Sequence, residues 1–360
     1  MSKITSIGTA VPDYKHKQED ILEFMNLVYA FDKDNGRKIK FLYRQSGIGY
    51  RYSVIPDYSL PAAAWQFYPA SENLEPFPSL ELRMQWFGKH AATLSLRAIR
   101  ECLNKNPGQT ITHLITVSCT GMSAPGLDLE LMELLDLPKT IHRTSVNFMG
   151  CYAAIHAMKM ADAFCNSVKD VNVLIVCTEL CTLHFQKEAT QNNITSSMLF
   201  GDGAAALLIS NNKDCDGLNI GPFYSLVDTK GKQDMAWELS SKGFLMTLSG
   251  YVPDLIEKDF NKLVDGALSA AELDKEQITD WCIHPGGKKI LEAVSKSLDL
   301  ANGQLDNCYD VLRDYGNMSS PSILFVLQKI MKAHEQKSES RIFGAAFGPG
   351  ITMETFILTA

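Results

Sequence analysis

The motif order in the first half of this 360-residue chain recurs in the second half at nearly the same spacing. ITHLITVSCTG, a buried strand running into a glycine turn, is matched by ITDWCIHPGG. VNFMGCYAAIHAMKMA, a turn opening a long helix, is matched by YGNMSSPSILFVL. VNVLIVCTEL is matched by RIFGAAFGPG, and GDGAAALLIS by GITMETFILTA. Thr112 to Cys151 spans 39 residues and Thr279 to Asn317 spans 38; Cys151 to Val173 spans 22 and Asn317 to Arg341 spans 24. Equal spacing over this length marks an internal duplication, at a period far too long for a solenoid. The pattern predicts an α/β protein of two similar halves, residues 1–212 and 217–360, joined by the polar NNKDCDG and built on buried, parallel-type strands. Residues 4–10 read as a further strand, 19–31 and 87–103 as amphipathic helices, and 58–78 as an irregular surface segment.

The repeat is broken in one place. The first half carries roughly 20 extra residues, about 180–200, between its third strand and its GDG turn. They are expected to wall a cavity; a plain surface excursion is the alternative.

Composition excludes several classes. Hydrophobic residues make up 46% and charged residues 21%, with a net charge of −7. These values suit a globular domain and argue against nucleic-acid binding. Nine scattered cysteines with no C-x-x-C pair argue against a disulfide framework or a zinc site and fit the reducing cytoplasm. No metal is expected. No apolar run reaches the roughly 18 residues that span a bilayer, and the N-terminus lacks a signal-peptide core.

Cys151 stands at the start of a predicted helix, where backbone N–H groups and the dipole favour thiolate. Read alone, one apolar cysteine in nine is more often core. His284 ends an apolar strand before Pro-Gly-Gly; alone it is more often structural. Asn317 opens the mirrored helix and could be a simple cap. The duplication changes the balance. If the halves are related by a pseudo-two-fold axis, these three residues converge as nucleophile, base and hydrogen-bond donor. No carboxylate partner is evident. That suits a decarboxylative condensation, where loss of carbon dioxide generates the carbanion, better than hydrolysis.

With VNFMGCYAAIHAMKMA, LFGDGAAALLI, IHPGGKKIL, YGNMSSPSILFVL and FGAAFGPGITMETFIL in this order, the chain resembles the type III polyketide synthases, the chalcone synthase-like family, over nearly its whole length. The resemblance implies a thiolase-like αβαβα fold, a homodimer with 119–131 at its interface, and a catalytic set of Cys151, His284 and Asn317. It implies an acyltransferase that loads a starter from an acyl-CoA and extends it with malonyl-CoA to a pyrone, resorcinol or related polyketide. No permanently bound cofactor is implied. The alternative is a carrier-protein-dependent initiating β-ketoacyl synthase, but those enzymes usually carry an HQAN-like motif where this chain has His284-Pro-Gly-Gly.

Residues that shape the substrate space are also implied by the resemblance. Phe200 matches one gatekeeper phenylalanine, and the second position is Met246. Trp237 replaces a glycine and His184 a threonine, so the cavity is reshaped; Ser319 keeps the serine beside the catalytic set. Coenzyme A phosphates require cations, for which Lys38, Lys40, Arg44, Lys288 and Lys289 are the candidates.

Overall fold

A computed structural model describes residues 2–71, 73–334 and 339–360. Its centre is a ten-stranded mixed sheet with two five-stranded parts. The first part runs, from its outer edge, through His142–Asn147, His113–Ser118, Asn172–Leu180, Asp202–Ser210 and Lys3–Ala10. The second comprises Asp280–Ile283, Arg341–Gly348, Thr352–Thr359, Leu218–Ile220 and Tyr224–Val227. Two ladder pairs among the described residues, Lys3 with Asn219 and Ile4 with Leu218, join the parts, with the Ile220 N–H donating to Ser2 O at 3.1 Å beside them.

Two helices lie between these parts. Ala153–Ser167 packs on strands of its own half and on Thr352–Thr359 of the other. Pro321–His334 packs on Asp280–Ile283 and reaches across to Lys3–Ala10 and Asp202–Ser210. Pro321–His334 is apolar nearly all round and buried along most of its length, whereas Ala153–Ser167 buries one broad face and leaves Ala163 and Asn166 exposed. Ala153, Ala154, Ala157 and Ala161 keep the first helix thin enough to fit. Ile323, Leu324, Val326 and Leu327 are fully buried on the second, each stabilising the fold by about 1.5–3 kcal/mol. Leu80–Leu103, started by Ser79 accepting from the Leu82 N–H at 3.3 Å, covers the outer face of the first part. Val252–Ala270 and Lys288–Ser297 cover the second. The layers are therefore α, β, α, β, α.

Three expectations change. Asp202–Ser210 and Thr352–Thr359 run antiparallel to the strands before them, not parallel. In the second half only residues 349–351 separate the strands, too few for a parallel crossover of a dozen or more. The mirrored helix begins at Pro321, four residues after Asn317. Finally, Lys33–Gln45 is a helix that periodicity did not reveal. Its few apolar residues and its Gly36 hide the pattern, while Asp32 starts it by accepting the Asn35 N–H at 2.8 Å.

Candidate active site

Each half places one residue after a glycine held in left-handed backbone. Gly150 (φ 87°) precedes Cys151, and a Cβ on it would lie 2.2 Å from Pro349 Cδ. Gly316 (φ 69°) precedes Asn317, and its Cβ would lie 2.8 Å from the Leu199 carbonyl oxygen. Only glycine accepts both constraints. The turns bring Cys151 and Asn317 to one cavity, together with His284, Ser319, Phe200, Trp237 and Met246.

The Asn317 side chain is clamped. Its Oδ1 accepts the Ser319 N–H at 2.8 Å, and its Nδ2 donates to the Gly286 carbonyl at 3.1 Å. One partner can only donate and the other only accept, so the amide has one orientation. Nδ2 keeps a second hydrogen. The Asn317 backbone is bridged in parallel fashion to Phe200, with its N–H on Leu199 O and its carbonyl on the Gly201 N–H, both at 2.9 Å. The extra segment of the first half is thus stitched to the second half at the cavity.

His284 lies just after the strand Asp280–Ile283, and its N–H donates to Ala345 O at 2.8 Å. Both ring nitrogens are buried with no hydrogen-bond partner among the described residues. Burial holds the imidazole neutral, lowering its pKa to about 3. The Cys151 thiol departs from the expected lowered value. Burial pushes it up to about 12, opposed by hydrogen bonds from Ser319 and Asn317. The first helical residue is Ala153, so Cys151 stands outside the helix, and desolvation outweighs the dipole.

Trp237 and Met246 face each other across the hairpin Met235–Ser240 and Gly243–Leu248, and the Trp237 Nε1–H donates to Cys119 O at 2.7 Å. With Phe200 and Cys181 they separate the Cys151 cavity from a second chamber. His184 lies on that second chamber, not on the Cys151 side. Its Nε2–H donates to Thr120 O at 2.8 Å and its Nδ1 accepts the Phe244 N–H at 3.1 Å. The ring stacks on Phe244 at 4.3 Å, and burial lowers its pKa to about 3. Cys181, Thr182, Phe185, Asn193 and Ser197 line the same chamber, so the extra segment does wall a cavity.

Sequence reasoning missed Glu179. This fully buried carboxylate accepts from the Cys119 N–H at 2.9 Å, Thr120 Oγ1 at 2.8 Å and Ser320 Oγ at 3.0 Å. Burial raises it to about 7. It ties the loop after one strand to the start of the helix Pro321–His334. A glutamate inside VNVLIVCTEL was the available signal, since a buried strand tolerates a carboxylate only with partners. Cys119 and Cys181 also line the Cys151 cavity, and Cys119 Sγ accepts the Gly150 N–H at 3.0 Å.

A wide groove of about 2140 Å³, its open side included, leads outward. It shares Leu248, Gly286 and Ile290 with the Cys151 cavity. Lys38, Lys288 and Lys289 line it; Lys40 and Arg44 do not. No helix among the described residues is long and apolar enough to cross a membrane.

Family comparison agrees with this geometry. Chalcone and stilbene synthases, N-terminal domain, match residues 1–213, and the C-terminal domain of the same family matches 226–360. This chain belongs to the chalcone and stilbene synthase family. It is a type III polyketide synthase by family and a thiolase-like protein by fold. A chalcone synthase-like protein of Bacillus subtilis is 28% identical over 100% of this chain and 99% of its own length. A polyketide synthase of Dictyostelium discoideum is 29% identical over 98% of this chain, which spans only 11% of that much longer protein. The crystal structure of PKS-I from the brown alga Ectocarpus siliculosus superposes with a TM-score of 0.92 at 28% identity, covering 99% of this chain and 97% of that one. Members of the family are condensing enzymes.

Proposed function

We propose that this type III polyketide synthase acts as an acyltransferase on acyl-CoA and malonyl-CoA through Cys151, His284 and Asn317. The observation that carries the reading is the shared cavity: a cysteine, a histidine with two unpartnered ring nitrogens and a clamped asparagine amide face one space. The acyl thioester enters by the groove, its phosphates held by Lys38, Lys288 and Lys289. His284 takes the Cys151 proton as the sulfur attacks the thioester carbonyl. The bond to the coenzyme A sulfur breaks, and His284 returns the proton to that leaving thiolate.

Malonyl-CoA then loses carbon dioxide. His284 and the second Asn317 amide hydrogen stabilise the enolate oxygen, as preorganised donors do in a water-poor site. The enolate carbon attacks the acyl carbonyl and Cys151 leaves. No strong base is required. Phe200, Trp237, Met246 and Ser319 bound the growing chain, and His184 sets the wall of the second chamber. A pyrone or resorcinol is the expected product class. The enzyme works as a homodimer in the cytoplasm; the loop bearing Met122, 51% exposed, supports a subunit contact.

The test is mass spectrometry of products from a panel of starter acyl-CoAs with free malonyl-CoA. Carbon–carbon extension from at least one starter is expected. Turnover that requires a malonyl carrier protein instead would favour an initiating β-ketoacyl synthase.

A further inference from the structure

The helix Lys33–Gln45 has three distinct faces. Ile39 and Tyr43 are buried against the fold. Asn35, Lys38, Leu42 and Gln45 line the groove. The third face carries Lys33, Arg37, Lys40, Phe41 and Arg44, at positions i, i+4, i+7, i+8 and i+11, which coincide on one side of a 3.6-residue helix. All five are exposed, and Phe41 is 62% accessible at the centre of the cations.

Groove phosphates do not explain this face, because the groove is lined by a different side of the same helix. Internal pairing does not explain it either. The sole acidic residue of the helix, Asp34, lies 3.7 Å from Arg37 with both side chains at least 80% exposed. Such a pair is worth almost nothing in water. Lys33, Lys40 and Arg44 have no acidic partner among the described residues. Four like charges on about 16 Å of helix repel one another. The whole chain carries −7, so without these four cations the remainder carries −11. An acidic partner is repelled by that remainder and attracted to this stripe.

We propose that this face docks an acidic acyl-carrier protein that delivers the starter acyl group. Phe41 fills an apolar socket between acidic side chains of the partner. The carrier's flexible thiol-tipped arm then runs along the adjacent groove, past Gly286 and Ile290, to Cys151. The acyl group moves from the arm's sulfur to Cys151 Sγ. The carbonyl bond to the arm breaks, and the Cys151 proton passes through His284 to the departing thiolate. An anionic membrane fits less well, since one aromatic ring gives little apolar area to insert. The proposal rests on the condensing reading and adds a second donor for its first step.

Intact-protein mass spectrometry of Cys151 acylation tests it, with decanoyl-CoA and a bacterial fatty-acid acyl-carrier protein bearing a decanoyl group as the two donors. The variant is Lys33→Glu, Arg37→Glu, Phe41→Ala, all on the outer face. Wild-type protein is expected to be acylated by both donors, the carrier reaction slowing as salt rises from about 50 mM. The variant should lose about tenfold with the carrier and stay within about twofold with decanoyl-CoA. Three results overturn the proposal: acylation by decanoyl-CoA but not by the carrier, equal slowing with both donors, or stripe-dependent binding to anionic phospholipid vesicles with carrier acylation unchanged. If neither donor acylates Cys151, the condensing reading falls with it.

Discussion

The two halves solve one construction problem with different side chains. In each, a strand end, a left-handed glycine and the start of a central helix meet. The first half supplies Cys119 and Cys151 at these places; the second supplies His284 and Asn317. Each half also ties its strand-end loop to its own turn, through Cys119 Sγ on the Gly150 N–H and through Gly286 O on the Asn317 amide. The halves differ in how the chain reaches the last strand of this unit. The first inserts 181–201 before that strand and so builds a wall, whereas the second closes with a three-residue turn. A duplicated scaffold thus fixes where polar groups converge, and residue type and one insertion decide what they do.

That division of labour can be broken in order of size. Cys151→Ala should lower product formation by about 10⁴-fold or more with the fold intact, read by turnover alongside circular dichroism. Asn317→Ala keeps the nucleophile and removes a donor to the enolate; kcat should fall about 10²-fold, with less change in KM. Gly150→Ala and Gly316→Ala attack the matched turns. Each should destabilise by about 2 kcal/mol in denaturant titration, because the left-handed φ and the clash act together. Equal costs would show that both halves depend on the same device.

The smallest effect concerns His184, which belongs to the inserted wall. Its folded pKa lies below its unfolded value of 6.5, so the unfolded chain binds the extra proton in that window. Stability is complete above pH 6.5 and falls as pH drops towards about 3. Between about pH 6.5 and 5.5 this one residue costs about 1 kcal/mol. His16, lowered by burial to about 4, and His284 act in the same direction. His184→Gln should remove one proton's share of the slope; an unchanged slope in stability measured against pH would place the imidazole in water.

The duplication, the order of elements along the chain around Cys151 and the convergence of Cys151, His284 and Asn317 were legible because hydrophobic periodicity and equal spacing encode them. Strand direction was not: a run such as GDGAAALLIS is buried on both faces whichever way it points. The Cys151 pKa was not legible either, since helix position is local whereas desolvation depends on residues from Cys119 to Pro349. Lys40 and Arg44 had the right charge and neighbourhood, but they stand on a different face of their helix from Lys38. Glu179 was visible as an oddity in a strand, and its partners Thr120 and Ser320 emerge only when the loops meet.

The central claim is that Cys151 carries the acyl chain while His284 and Asn317 serve the condensation. Intact mass and peptide mapping after incubation with an acyl-CoA test it most directly. One acyl group on the Cys151 peptide, discharged with release of carbon dioxide and an extended product when malonyl-CoA is added, is the predicted result. An adduct on Cys119 or Cys181 instead, or a Cys151 adduct that malonyl-CoA cannot discharge, would contradict it.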